Sequence, residues 1–160
     1  MQSFVRKIEV DLAAQRLDLL ETDASGRTSR IASYPVSTSG FGVGSEEGSL
    51  KTPLGRFEIA ERIGEGAPLG AVFKSREWTG QVAPFSDRDN PEDLVLTRIL
   101  WLHGLDPDNA NTRERYIYIH GTNHEETIGQ PCSHGCVRMR NADMSELFGQ
   151  VPQGTPVSIA

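Results

Sequence analysis

The sequence predicts a mostly β fold with one short α-helix. Its 16 Gly and 9 Pro make up about 16% of the 160 residues, above the usual share of about 12%. Several short segments alternate apolar and polar residues with the period of two that is typical of strands. One segment, residues 141–149, has the apolar spacing and the end residues of a helix. A chain of this length is most simply one domain, here assigned to residues 1–160.

Four strands are predicted in the first half of the chain. The segment "IEVDLAAQRLDLL" (8–20) holds two alternating stretches around a polar "AAQR", which predicts two strands and a tight turn. The segments "IASYPVSTS" (31–39) and "RFEIAERI" (56–63) predict two more. Residues 40–55 are rich in Gly, Ser and Pro but lack the spacing of a phosphate-binding loop, so we expect a surface loop there.

Residues 64–93 are predicted to be mainly loop because Gly and Pro recur along them. Their last part, "FSDRDNPED" (85–93), resembles a piece of a calcium loop but lacks the Gly and closing Glu of an EF-hand. We therefore expect a solvated turn at 85–93. From their Gly and Pro content alone, 40–55 and 64–93 are also the segments we expect to cover any cleft.

Two strand regions and the helix follow. The segment "DLVLTRILWLHG" (93–104) is β-branched and apolar, which predicts one or two buried strands, and "YIYIHG" (116–121) alternates cleanly. The second of these places His120 at the end of a strand. In the helix, Asn141 is the expected cap, Met144, Leu147 and Phe148 share a face, and Gly149 ends it. The segment "TPVSIA" predicts a closing strand.

Composition excludes several classes of function. The chain has 16 basic and 22 acidic residues, a net charge of −6, and no dense Lys/Arg stripe, so we expect no nucleic-acid partner. No apolar run approaches the roughly 20 residues that a membrane-spanning helix needs. The first twenty residues carry charges where an export signal has its apolar region, so we expect no such signal. The two cysteines, four residues apart, do not make a disulfide framework.

The segment "YIHGTNHEETIGQPCSHGCVRM" (118–139) concentrates three of the four histidines and both cysteines. They are His120, His124, Cys132, His134 and Cys136. These are enough ligands for zinc, but the spacing is poor, because three of them fall within five residues around a glycine. A redox pair is also disfavoured, because three residues rather than two separate the cysteines.

A cysteine nucleophile fits this segment best. A thiol needs a base or a positive field to become a thiolate, and either His120 or His134 could serve by spacing. Gly135 lets the backbone turn so that consecutive amides point at a developing oxyanion. Arg138, two residues after Cys136, can share its face and hold a carboxylate. Each residue alone is more often structural, but together they indicate acyl transfer on an acidic substrate.

The motifs "HGT" (120–122) and "SHGCVRM" (133–139) resemble the signature of the L,D-transpeptidase catalytic domain, the YkuD family. The segments "TPLGRFEI" (52–59) and "GTPVSI" (154–159) and the opening strands also resemble that family, so the resemblance covers most of the chain. It implies a sandwich-like domain of two mixed sheets, with the short helix directly after the catalytic strand.

The resemblance also implies roles for individual residues. Cys136 would be the nucleophile, His120 its base, and His134 a supporting residue. The Gly135 and Cys136 amides would form the oxyanion hole. On the substrate side of the site lie Arg138, Ser133 and Gly121, of which Gly121 would also orient the base through its carbonyl. His124 receives no role, and Cys132 is expected to be a small apolar residue beside the site.

The implied reaction acts on peptidoglycan stem tetrapeptides through a thioester, releases D-Ala and forms 3–3 crosslinks, with no metal or organic cofactor. One alternative is an L,D-carboxypeptidase that uses water as acceptor. Others are a non-catalytic wall-binding module and the zinc site. We expect a monomer without a transmembrane segment. The resemblance implies the cell envelope or periplasm, whereas the missing export signal favours the carboxypeptidase and a cytoplasmic location.

Overall fold

The computed structural model describes residues 5–160, in which ten strands form one strongly curved sheet. Residues 1–4, which the predicted domain and the export-signal prediction include, lie outside the described residues. The strands are β1 (Val5–Asp11), β2 (Arg16–Thr22), β3 (Thr28–Ser37), β4 (Gly55–Ile63), β5 (Ala71–Lys74), β6 (Glu77–Val82), β7 (Val95–Gly104), β8 (Tyr118–Gly121), β9 (Val137–Met139) and β10 (Pro156–Ile159). The helix α1 is Asn141–Phe148.

The sheet closes on itself. Its strand order is β4-β10-β1-β2-β3-β9-β8-β7-β5-β6, and β4 also pairs with β7, so eight strands form a ring. The β1–β10 and β8–β9 pairs are parallel and the others are antiparallel. The predicted class, mostly β with one helix, is therefore confirmed, and the mixed sheet has the form of a barrel-like sandwich.

Apolar side chains from the ring strands fill its interior. Ile8, Leu17, Phe57 and Leu100 are among those with no exposed surface. Burying each of them contributes about 1.5–3 kcal/mol relative to exposure. As predicted, α1 turns one apolar face inward and adds its buried side chains to the same core. This closed core gives β8 and β9 a rigid base.

The prediction of mainly loop structure over residues 64–93 is wrong in its middle, where β5 and β6 form a hairpin. The tip of this hairpin is the two residues Ser75 and Arg76, with φ of 48° and 65°. Such a turn normally uses Asn-Gly or Asp-Gly, since both central residues need positive φ. The expected turn signal is therefore missing from the sequence.

The predicted cap of α1 is also wrong. Arg140 precedes the first turn in an extended conformation, and Asn141 is the first helical residue. The carboxylate of Glu125 instead accepts the Asn141 backbone N–H at 2.7 Å and the side-chain amide at 2.8 Å. A carboxylate is favourable at a helix N-terminus because unpaired N–H groups point towards it. Along residues 5–160, no helix has the length and apolar character needed to cross a bilayer.

Candidate active site

The parallel pairing of β8 with β9 brings the predicted nucleophile and base to one face. His120 lies opposite Arg138 in this pair, and Cys136 directly precedes β9. Side chains two residues apart in an extended segment point the same way, so Cys136 and Arg138 share a face. His120 points to that face as the cross-strand partner of Arg138. Residues 16 positions apart in sequence thus become diagonal neighbours.

His120 is 1% exposed and is oriented by the next residue. Its Nδ1 lies 2.5 Å from the carbonyl oxygen of Gly121, which can only accept, so Nδ1 carries the proton and Nε2 is unprotonated. Burial lowers the pKa of His120, while the charge of Asp93 and the Gly121 hydrogen bond act in the opposite direction. The ring is therefore a neutral base at neutral pH.

Gly121 has no space for a side chain. An added Cβ would lie 2.8 Å from the Leu96 carbonyl oxygen and closer still to the amide oxygen of Asn141. That amide is fixed in turn, because its nitrogen donates to the Thr122 carbonyl at 2.8 Å and its oxygen accepts from Thr97 at 2.5 Å. A buried network at the start of α1 thus packs directly against Gly121, whose carbonyl orients His120.

Cys136 is partly exposed, and backbone groups contact its sulfur. The Tyr118 N–H donates to Sγ at 3.3 Å, and the thiol in turn can donate to the Tyr116 carbonyl oxygen, 3.5 Å away. Burial raises the pKa of Cys136 to about 12, and the charge of Asp93 acts in the same direction. The Tyr118 N–H and the arginines at 138 and 115 act against this rise. At neutral pH the site therefore holds a thiol beside a neutral imidazole.

The described contacts include no hydrogen bond between His120 and Cys136. Diagonal neighbours across a strand pair lie about 7 Å apart at their β-carbons. Catalytic hydrogen bonds are often long or absent before substrate binds. The arrangement therefore suits a proton transfer that occurs during attack rather than a preformed ion pair.

The loop before the nucleophile curls around Ser133. Its buried hydroxyl donates to the Cys136 carbonyl at 2.6 Å and accepts the Gly135 N–H at a long 3.3 Å. The Ser133 N–H donates to the Thr38 carbonyl at 2.8 Å, which ties the loop to the end of β3. Gly135 has φ of +121°, a conformation that glycine adopts readily. The contacts of Ser133 are thus internal to the loop, and its substrate role stays a prediction.

Thr52 hydrogen-bonds to this loop, a contact that sequence reasoning missed. Its hydroxyl donates to the Gly135 carbonyl at 3.0 Å and accepts the Ser39 N–H at 2.9 Å. Thr52 is fully buried, although the segment 40–55 was expected to be a surface loop. Its place in the family-like "TPLGRFEI" segment was the available signal, but nothing in the sequence showed which loop it would contact.

Arg138 is buried and paired with a residue that sequence reasoning did not select. It is 3% exposed, and its Nη2 lies 2.8 Å from Oδ2 of Asp93. Asp93 ends the segment 85–93, so the prediction of a solvated turn is wrong for this residue. His134 is half-exposed, with Nδ1 3.7 Å from the same oxygen. The predicted contact of Arg138 with substrate remains a prediction, and its partner in the structure is Asp93.

His124, which received no role, anchors the loop that carries Asp93. Its Nε2 lies 2.7 Å from the Asn90 carbonyl oxygen, so this nitrogen is the donor. The neighbouring Asn123 side chain donates to the Glu92 carbonyl at 3.0 Å and accepts the Leu94 N–H at 3.0 Å. The turn after His120 thus holds the backbone on both sides of Asp93.

A surface cavity of about 310 Å³ lies near the nucleophile segment, between His134 and the residues before β8. Its lining includes Leu50, Arg115, Tyr116 and His134. The Arg76 guanidinium, from the β5–β6 hairpin, lies 5.1 Å from the ring centroid of Tyr116. Of the two segments expected to cover a cleft, 40–55 lines this cavity through Leu50, and 64–93 comes near one lining residue through Arg76; their covering role stays a prediction.

Cys132 and Cys136 are both free thiols, and Cys132 is exposed. Among residues 5–160, no three His, Cys, Asp or Glu side chains converge closely enough to hold a metal ion. The zinc alternative gains no support from the described residues.

A family model described as the L,D-transpeptidase catalytic domain, YkuD, matches residues 5–159. The putative L,D-transpeptidase YkuD of Bacillus licheniformis is 56% identical over 154 residues, which cover 96% of this chain and 64% of that protein. The putative L,D-transpeptidase YkuD of Bacillus subtilis is 54% identical over 46 residues, 29% of this chain and 28% of that protein. The chain thus spans less than two thirds of the length of these relatives.

Two solved structures share the fold. A mutant of the L,D-transpeptidase from Enterococcus faecium matches with a TM-score of 0.58 at 20% identity, covering 98% of this chain and 50% of that one. An L,D-transpeptidase from Mycobacterium smegmatis matches with a TM-score of 0.56 at 15% identity, covering 99% and 59% respectively. At these identities the likeness concerns the fold alone.

Proposed function

Because this chain belongs to the L,D-transpeptidase catalytic domain (YkuD) family, we propose that it uses Cys136 to transfer acyl groups of peptidoglycan stem tetrapeptides. One observation carries the proposal: the parallel β8–β9 pair presents Cys136 and His120 on a common face. The Nδ1–H of His120 is committed to Gly121, which leaves Nε2 free to take a proton. A nucleophile beside an oriented base is the arrangement that acyl transfer requires.

The first half of the reaction forms a thioester. Sγ of Cys136 attacks the carbonyl carbon of an L-configured centre, the thiol proton passes to Nε2 of His120, and the carbonyl electron pair moves onto oxygen. The backbone amides of Gly135 and Cys136 are the proposed donors to that oxyanion. The Gly135 N–H makes only a long bond to Ser133, so its redirection towards the oxyanion costs little.

The first half ends when the oxyanion collapses, the C–N bond breaks, and the His120 imidazolium gives its proton to the leaving amine of D-Ala, which leaves the thioester on Cys136. The second half regenerates the thiol. An amine of a second stem peptide then attacks the thioester, and His120 takes the proton released. The C–S bond breaks, the imidazolium reprotonates the sulfur, and a 3–3 crosslink has formed. The step sequence needs no cofactor, since every proton moves between sulfur, imidazole and the two amines.

The proposal is tested by incubating the protein with a disaccharide-tetrapeptide and identifying products by mass spectrometry. We expect a crosslinked dimer from the parent protein and from Cys132→Ala, which loses the exposed thiol, but none from Cys136→Ala. A tripeptide without dimer would replace the transpeptidase with an L,D-carboxypeptidase, in which water attacks the same thioester. Binding of the substrate without any Cys136-dependent product would contradict both enzymes and favour a wall-binding module.

A further inference from the structure

One carboxylate oxygen contacts the residues on both sides of the nucleophile. Oδ2 of Asp93 lies 2.8 Å from Nη2 of Arg138 and 3.7 Å from Nδ1 of His134. These two residues stand two positions after and two positions before Cys136. Asp93 is therefore placed to fix the direction of the short segment that carries the thiol.

The position of Asp93 is built into the fold. Its loop is tethered by the side chains of Asn123 and His124, which lie in the turn after the His120 strand. After Asp93 the chain enters β7, which pairs with β8. Asp93 thus links the segment that carries Cys136 to β7 and to the turn after β8, the two elements next to His120.

The Asp93–Arg138 pair is poorly explained by stability alone. Oδ1 of Asp93 and Nε of Arg138 are buried and have no hydrogen-bond partner among the described residues. Each such group costs about 1–3 kcal/mol. A buried ion pair stabilises a fold only when its remaining donors and acceptors are satisfied. The pair therefore stabilises the fold less than a fully hydrogen-bonded pair would.

We propose that Asp93 is a positioning residue of the transfer reaction, whose carboxylate holds Arg138 and His134 on either side of Cys136 and balances the buried charge of Arg138. This inference rests on the function proposed above. Asp93 does not touch the reacting atoms, so it acts through Arg138 and His134 and through its charge.

The charge of Asp93 has opposite consequences for thiol reactivity and for base strength. It acts to raise the pKa of both Cys136 and His120, and Arg138 acts to lower both. Replacing Asp93 with Asn leaves Arg138 unopposed, so both pKa values fall. At a fixed pH below its pKa, Cys136 then contains more thiolate, while His120 becomes a weaker base.

The first test measures alkylation of Cys136 by iodoacetamide at pH 8, in a Cys132→Ala background that leaves one thiol. We expect Asp93→Asn to be alkylated about three- to tenfold faster, because a lower thiol pKa increases the thiolate fraction more than it reduces nucleophilicity. Asp89→Asn is the matched control, since it removes the same charge from an exposed site on the same loop. An unchanged or slower rate in Asp93→Asn would overturn the proposal.

The second test measures transfer with the disaccharide-tetrapeptide in the same variants. We expect kcat to fall about tenfold or more in Asp93→Asn, as misplacement near a reacting centre does, and to stay unchanged in Asp89→Asn. Thermal unfolding of the same variants separates this signature from exposure of Cys136 by local opening, because a positioning role predicts faster alkylation and slower transfer at a melting temperature within a few degrees of the parent. Equal kcat in Asp93→Asn and the parent protein would overturn the positioning role.

Two further variants keep the test decisive if Asp93→Asn folds poorly. The double variant Asp93→Asn/Arg138→Gln removes both buried charges, and its alkylation rate should return to within about twofold of the parent. Asp93→Glu keeps the charge but displaces it, so it should retain the parent alkylation rate and lose kcat. A double variant alkylated as fast as the single one would exclude action through Arg138. Failure of the parent protein to process stem peptides would count against the proposed function only, since alkylation does not require it.

Discussion

The backbone N–H of Tyr118 points at Sγ of Cys136 from 3.3 Å, where the β8–β9 pairing begins. A donor aimed at sulfur favours the thiolate and partly offsets the effect of burial. Because the donor belongs to the backbone, the strand pairing itself positions the nucleophile. The same pairing positions His120, so one structural element sets both halves of the proposed chemistry.

The rate of transfer should be highest at pH values where both the His120 imidazole and the Cys136 thiol are neutral, since the proposed reaction starts from these forms. Burial lowers the pKa of His120, so its protonation should reduce kcat/KM only below about pH 6.5, the ordinary value for histidine. The pKa of Cys136, about 12, predicts no alkaline decline over the measured pH range. Initial rates from about pH 4 to pH 10 check this. An acid limb centred above pH 7, or a decline by pH 9, would contradict it.

The two histidines near Cys136 should differ strongly in importance. His120→Gln removes the proposed base and should lower kcat by about 10²–10⁴-fold. His134→Gln removes a half-exposed ring that only approaches Asp93, so a loss of about tenfold or less is expected. Each variant is the control for the other in a single-turnover assay. Equal losses would show that His134 shares the base function.

Thr52→Val should reduce both stability and turnover. The change leaves the Gly135 carbonyl and the Ser39 N–H without their partner, at a cost of about 1–3 kcal/mol. Thr155→Val is a suitable control, since Thr155 is a buried threonine that bonds Pro152 in the turn before β10. Thermal unfolding should show losses in both variants, whereas kcat should fall only in Thr52→Val. A fall in both would mean that turnover follows stability alone.

Gly135→Ala should impair transfer more than it impairs folding. The left-handed backbone at Gly135 disfavours alanine by about 1 kcal/mol, and the added Cβ would lie 3.3 Å from the Lys51 carbonyl oxygen. Gly26 has φ of +85° with nothing near its Cβ position, so Gly26→Ala carries similar backbone strain in a distant hairpin. We expect similar melting temperatures and a lower kcat only for Gly135→Ala. Full turnover in that variant would argue against the Gly135 amide as an oxyanion donor.

The strands with clean alternation could be predicted from sequence, and so could the placement of His120 at a strand end. The nucleophile segment was also identifiable, since its motif is local. Those features depend on residues close together in the chain, whose side-chain directions follow from a period of two.

The features that sequence reasoning missed depend on contacts between distant segments. Asp93 pairs with Arg138 across 45 residues, Thr52 bonds Gly135 across 83, and Glu125 rather than Asn141 satisfies the N-terminus of α1. In isolation, an acid in a polar segment, a threonine in a Gly-rich loop and an asparagine before a helix each favour an ordinary local role. One signal was present for Asp93, which stands two residues before a buried apolar strand.

The most direct test of the central claim is the mass of the intact protein after rapid mixing with a disaccharide-tetrapeptide. A Cys136 acyl-enzyme predicts an adduct equal to the substrate minus D-Ala, located on the Cys136 peptide and released by hydroxylamine. The adduct should form in Cys132→Ala and be absent from Cys136→Ala. An adduct that persists in Cys136→Ala, or crosslinked product from that variant, would contradict the account.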